Sequence, residues 1–324
     1  MHQFKQAINS DVVYAGSVYR TSKDWRFVLT INKQTVVLNT YNINTHGEQQ
    51  AHSLAENDRK TESNTRGLTI HRKIPPTQMI EYFAGFFDGD GCFGTSKDSN
   101  LRITLSQTSG NGIPSVLSTL QYYYGGCIRS HVPKRGVKEY RPHYKLRIAG
   151  PAAIWLLRDL ENVSMIKANQ VHVSLRAASE PLQARSTSIK SLKRAKLISN
   201  MQALEFNAQD QRLTWAYVAG LFDAEGCVRF PAGLRLRITQ KSNPSILFAI
   251  KDKLGVLGKA VNNGVLDLAG KNAEELAWRI LPFVMPKKDQ LIYALTLRIL
   301  RDTKVIDKSV AIIMAEKLKQ MKKM

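Results

Sequence analysis

The chain has 324 residues, with 47 Lys and Arg against 26 Asp and Glu and a formal net charge of +21. That length suits one large or two medium domains around a sizeable core, and the charge points to a polyanionic partner, a nucleic acid before a membrane surface. A disulfide framework and a zinc finger are excluded by three cysteines without a CxxC pair, and a membrane span by the lack of any apolar run near about 18 residues.

The opening residues, MHQFKQAINSDVVY, lack the charged-then-apolar layout of a secretory signal. The expectation is a reduced, intracellular compartment in which Cys92, Cys127 and Cys227 are small core residues. Around Val12–Leu38 the chain has β character, and 45–67 is polar enough for disorder. Residues 1–75 therefore read as an N-terminal extension, partly disordered and without an assigned function.

An internal repeat then dominates the chain. EYFAGFFDGDGCFG (81–94) is followed by LRITLSQTS (101–109), and AYVAGLFDAEGCVRF (216–230) by LRLRITQKS (234–242). Each copy continues through an apolar helical stretch, a strand pair and two helical segments. Asp90 and Glu225 occupy matching places, 225 − 90 = 135 residues apart. The boundaries expected are 76–178 for repeat one, a basic linker over 179–212, repeat two over 213–302 and a C-terminal basic helix over 303–324.

Read as a helix, Tyr82–Asp88 offers Ala84 and Gly85 to a close neighbour, and Ala219 and Gly220 do the same in repeat two. Small residues let two helical backbones approach with a short axial separation. Gly91 and Gly226 fall where a helix C-terminus favours a left-handed residue. Asp90 and Glu225 thus sit at helix C-termini, where the dipole is negative, and would face each other across the interface. Two such carboxylates raise one another's pKa unless a cation intervenes. A hard divalent ion with oxygen ligands, Mg²⁺ or another divalent cation, offsets the conflict. Metal held by few carboxylates and by phosphate oxygens is the logic of phosphodiester hydrolysis. An EF-hand does not fit DGDG, because Phe93 stands where that loop needs glycine.

The strands carry a second signal. Leu101, Ile103 and Leu105 alternate with Arg102, Thr104 and Ser106, and Leu234, Leu236 and Ile238 with Arg235, Arg237 and Thr239. Lys145 and Arg147 follow the same period in HYKLRIAG. Period two places one apolar face on helices and one polar, basic face outward, fit to lie in a DNA groove. Arg129 and Lys241 join the basic set.

FAGFFDGDG (83–91) and VAGLFDAEG (218–226) resemble the two motifs of single-chain LAGLIDADG homing endonucleases, and the likeness covers roughly 76–300. It implies an α+β fold of two pseudo-symmetric α-β-β-α-β-β-α repeats, with motif helices packed centrally and two four-stranded antiparallel saddles on DNA. It further implies that Asp90 and Glu225 are the metal-binding catalytic carboxylates, aided by the carbonyls of Gly89 and Ala224. Gln107 and Gln240 would order solvent near the metals, and Lys167 and Lys287 would be the basic residues at the base of the site. The second motif departs by carrying Glu where Asp is usual.

The function implied is a monomeric, site-specific, double-strand DNA endonuclease, intron-encoded, cutting across the minor groove of an asymmetric site of about 20 base pairs. The more basic second strand pair of repeat one (Arg129, Lys145, Arg147) would hold its half-site more tightly. The alternative is an RNA maturase that binds its host intron RNA with the same fold. Such genes are common in chloroplasts and mitochondria, which makes an organelle the expected location.

Overall fold

The computed structural model describes residues 73–95, 101–109, 112–131, 142–179, 205–257 and 260–321, together with the backbone of six earlier strands. The chain divides into two compact units, Met1–Arg59 and Lys60–Met324. The first holds an antiparallel meander of β1 (His2–Ala7), β2 (Val13–Arg20), β3 (Trp25–Ile31) and β4 (Gln34–Asn39), paired in chain order. The β character expected over Val12–Leu38 is present, and β1 extends the sheet to residues that gave no strand signal. Most of 45–67 and of the linker 179–212 lies outside the described residues.

The second unit opens with a short pair, β5 (Thr61–Ser63) and β6 (Thr69–His71). Repeat one then runs α1 (Thr77–Asp90), β7 (Gly91–Thr95), β8 (Leu101–Thr108), α2 (Ser115–Tyr124), β9 (Cys127–His131), β10 (His143–Ala149), α3 (Pro151–Leu160) and α4 (Ala168–Ser179). Repeat two matches it with α5 (Trp215–Glu225), β11 (Gly226–Arg229), β12 (Arg235–Thr239), α6 (Ser245–Lys253), β13 (Val261–Asn262), β14 (Val265–Ala269), α7 (Gly270–Ile280) and α8 (Lys288–Asp302), followed by α9 (Lys308–Met321). Each repeat ends in two helices, one more than the α-β-β-α-β-β-α outline. Both sheets are antiparallel, in the orders β7-β8-β10-β9 and β11-β12-β14-β13, so the two halves share one topology.

Local sequence explains the element starts. Pro114 and Pro244 precede α2 and α6, where a missing N–H costs nothing. Thr214 caps α5 by accepting from the Tyr217 N–H at 3.1 Å.

The core forms around α1 and α5, which pack against each other. Tyr82, Phe83, Phe86 and Phe87 on one helix, and Tyr217, Leu221 and Phe222 on the other, are almost wholly buried. A helix enclosed by a partner helix and a sheet needs apolar residues all round, which accounts for the run that carries no polar stripe. Leu105, Leu146, Leu236 and Leu266 close the core from the inner faces of the sheets.

Small residues line the crossing of α1 and α5. A Cβ on Gly85 would overlap the carbonyl oxygen of Tyr217, and one on Gly220 would overlap that of Tyr82. Ala84 and Ala219 are fully buried beside them. Four residues on, a Cβ on Gly89 would overlap the Ala224 side chain, so the helices stay in contact down to the acidic residues.

Two sequence expectations are corrected. Gly91 and Gly226 are extended, with φ of −74° and −89°, not left-handed. Glycine is needed there because a Cβ would strike the ring and carbonyl of Phe87 or Phe222. The cysteines are not core residues: Cys92 and Cys127 are exposed and Cys227 is half-buried. In the cross-strand row Cys92–Thr104–Arg147–Cys127, both thiols share the polar face, because residues directly opposite in a ladder project to one side.

Candidate functional site

Asp90 is the last residue of α1 and Glu225 the last of α5, at the end of the helix pair where Gly89 and Ala224 touch. A Cβ on Gly89 would lie 3.2 Å from the Glu225 Cγ, so the two acidic side chains share one small region. Burial first, and then the Glu225 charge, push the Asp90 carboxyl up to about 7. Burial also raises Glu225, while Lys167 and Lys287 pull both carboxylates back down.

The lysines are tied to the helix ends. Lys167 Nζ donates to the carbonyls of Phe87 at 2.8 Å, Gly89 at 3.2 Å and Gly91 at 2.7 Å. Lys287 Nζ donates to those of Phe222, at 3.0 Å, and Asp223. Each ammonium thereby caps the negative end of a motif helix, while burial lowers both lysine pKa values. The Gly89 carbonyl is thus engaged by Lys167, and the capping in repeat two stops one residue short of Ala224.

The glutamines behave differently. Gln107 Nε2 crosses to repeat two and donates to the Asp223 carbonyl at 3.2 Å, while its buried Oε1 has no protein partner. The Gln240 Oε1 accepts from the Ser242 hydroxyl at 2.6 Å, within its own turn.

A pair of residues in each motif was missed as functional. Asp88 and Asp223 are buried, and each is met by a tyrosine of the opposite repeat: Tyr217 Oη donates to Asp88 at 2.7 Å and Tyr82 Oη to Asp223 at 2.8 Å. Asp88 also accepts from the Ser164 hydroxyl and from the N–H groups of Met165, Ile166 and Lys167. Asp223 accepts from the N–H groups of Met285 and Lys287. The Asp88 carboxylate thereby holds the segment leading into α4. One signal was available: a tyrosine six residues before the aspartate in both motifs, 88 − 82 = 6 and 223 − 217 = 6.

On the outer face of the first sheet, strand register places Ser106, Lys145 and Arg129 in one row and Thr104 and Arg147 in the next, with Arg102 beyond. No acidic residue lies in any of its four strands. The second sheet carries exposed Arg235 and, beside it on the same face, Arg237 and Thr239, with exposed Lys241 past the strand end. There Arg237 pairs with Asp267 on β14 at 2.5 Å.

Among the described residues no group of three or more His, Cys, Asp or Glu side chains could hold a metal, and no helix is long and apolar enough to cross a membrane. Two carboxylates still fit a hard cation that takes its remaining ligands from water and phosphate, as Mg²⁺ commonly does.

No protein-family model and no curated protein matches this chain. Among solved structures, a lysine-to-alanine mutant of I-SmaMI is 13% identical with a TM-score of 0.51, covering 74% of this chain and 98% of that one. The homing endonuclease I-WcaI, bound to its DNA recognition sequence, is 10% identical with a TM-score of 0.40, covering 69% and 88%. The first of these, together with the paired repeats, shows that the chain has the LAGLIDADG homing-endonuclease fold.

Proposed function

We propose that this LAGLIDADG-fold chain is a site-specific, metal-dependent double-strand DNA endonuclease, intron-encoded and monomeric. The observation that carries the reading is the convergence of Asp90 and Glu225 at the ends of two packed helices, each with a half-buried lysine across its end.

Asp90 and Glu225 would hold a divalent cation, aided by the Ala224 carbonyl and by whatever capacity the Gly89 carbonyl keeps beside Lys167. When bound, the cation supplies a lowered water pKa and charge stabilisation at the scissile phosphate. The chain's own residues supply the rest. Lys167 and Lys287 lie across the helix ends and offset part of the burial that raises both carboxyls. Gln107, with an unused acceptor oxygen, orients a water beside the Asp223 carbonyl. The basic face of the first sheet (Arg102, Arg129, Lys145, Arg147) binds phosphates and base edges of one half-site. The second sheet binds the other through Arg235, Arg237, Thr239 and Lys241.

The test is cleavage, with Mg²⁺, of the uninterrupted allele of the gene that houses this reading frame. Wild type should cut both strands, and Asp90→Asn and Glu225→Gln should lose cutting while retaining DNA binding. Cutting by both variants at the wild-type rate sinks the assignment. Binding of the host intron RNA, without cleavage of the allele, would instead support a maturase.

A further inference from the structure

We propose that Tyr82 and Tyr217 are positioning residues that set the two lysines crosswise, each tyrosine of one repeat fixing the lysine of the other. The inference rests on the reading of Lys167 and Lys287 as part of the active site.

The chain of contacts is short. Tyr217 Oη donates to Asp88, and Asp88 accepts from three consecutive N–H groups ending at Lys167. Lys167 Nζ then reaches the carbonyls around Asp90. In the mirror arrangement, Tyr82 holds Asp223, which accepts from the N–H groups of Met285 and Lys287, and Lys287 Nζ reaches the end of α5. A hydrogen bond to a buried carboxylate is charge-assisted and directional, so losing it lets the aspartate and the turn it grips reorient.

A purely space-filling role does not account for the pattern. The two motifs differ at Phe83/Val218, Phe86/Leu221, Gly89/Ala224 and Asp90/Glu225, yet share the tyrosine and the aspartate. Asp88 has four donors besides Tyr217, enough to satisfy it without a phenol from the other repeat. The phenol adds a link between halves that no local donor supplies. The arrangement is also unequal: Asp223 has two donors besides Tyr82, so its lysine depends more on the tyrosine.

The experiment uses the full chain with Tyr217→Phe and Tyr82→Phe. Each lysine's rate of acetylation by acetic anhydride is read by mass spectrometry, with the melting temperature recorded alongside. Tyr217→Phe should change the Lys167 rate on the order of tenfold while leaving Lys287 near wild type. Tyr82→Phe should do the reverse, with the larger change. On the cleavable DNA target, the two variants should slow opposite strands, so that nicked product accumulates. A response of the lysine in the same repeat, of both lysines together or of neither overturns the proposal. If labelling crosses between repeats but wild type cuts no DNA, the cross-brace stands and the nuclease reading falls. If wild type cuts and labelling does not cross, the brace falls alone.

Discussion

Lys167 Nζ lies 2.7 Å from the carbonyl oxygen of Gly91, across the end of the helix that terminates in Asp90. A carboxylate at a helix C-terminus is disfavoured by the dipole, and the sequence alone offered only a metal to offset it. The structure supplies a protein cation as well. Replacing Lys167 with Met removes a charged donor shared by three carbonyls, and should cost about 1.5–3 kcal/mol in denaturant unfolding. An unchanged midpoint would show that the ammonium contributes nothing to the fold.

The crossing of α1 and α5 admits no side chain at Gly85 or Gly220. Gly85→Ala must push the helices apart against backbone atoms of Tyr217 and Leu221. Overpacking of this kind costs about 1–3 kcal/mol, and the backbone contact places it at the upper end. Thermal melts of Gly85→Ala and Gly220→Ala should both shift down. Gly94→Ala, where the nearest atoms belong to the Arg102 guanidinium, Nη2 at 3.6 Å, should shift far less.

The raised Asp90 carboxyl makes stability depend on pH. Its folded pKa, about 7, lies above its ordinary 3.8, so the folded chain binds the proton more tightly than the unfolded one. The resulting stability is full below the unfolded value and is lost as pH rises through the folded one. Metal-free wild type should therefore lose stability relative to Asp90→Asn between about pH 4 and pH 7. Mg²⁺ should restore it at the alkaline end. Parallel profiles of the two proteins would contradict this.

Arg237 is held by Asp267, in a pair about one-third exposed on each side. Such a pair is worth little to the fold, but it keeps a cation from phosphate. Asp267→Asn should tighten DNA binding and steepen its salt dependence by about one counterion. Titrations at several salt concentrations would read both. An unchanged slope would mean that Arg237 does not face the backbone of DNA.

The motifs, the alternation of the strands and the small residues at the crossing were legible because each is a local pattern with a physical period. The outer-face residues of β8 and β10 follow directly from period two. What escaped was long-range. The Tyr217–Asp88 and Tyr82–Asp223 bonds join residues 129 and 141 positions apart, and nothing in either motif says which partner the carboxylate will meet. The extended Gly91 was misread because composition alone does not separate a glycine needed for its φ from one needed for its missing Cβ. The thiols of Cys92 and Cys127 were misplaced because a small apolar residue at a strand start takes the side that register assigns to it.

The reciprocal tyrosines also bear on how such a chain can be recombined. Joining the first half of one such chain to the second half of another would take more than matching the surfaces that meet. Here the newcomer would also have to bring a phenol at the place of Tyr217 and a carboxylate at the place of Asp223. A chimera lacking either would fold around an intact crossing and still leave one lysine without its guide from the other half.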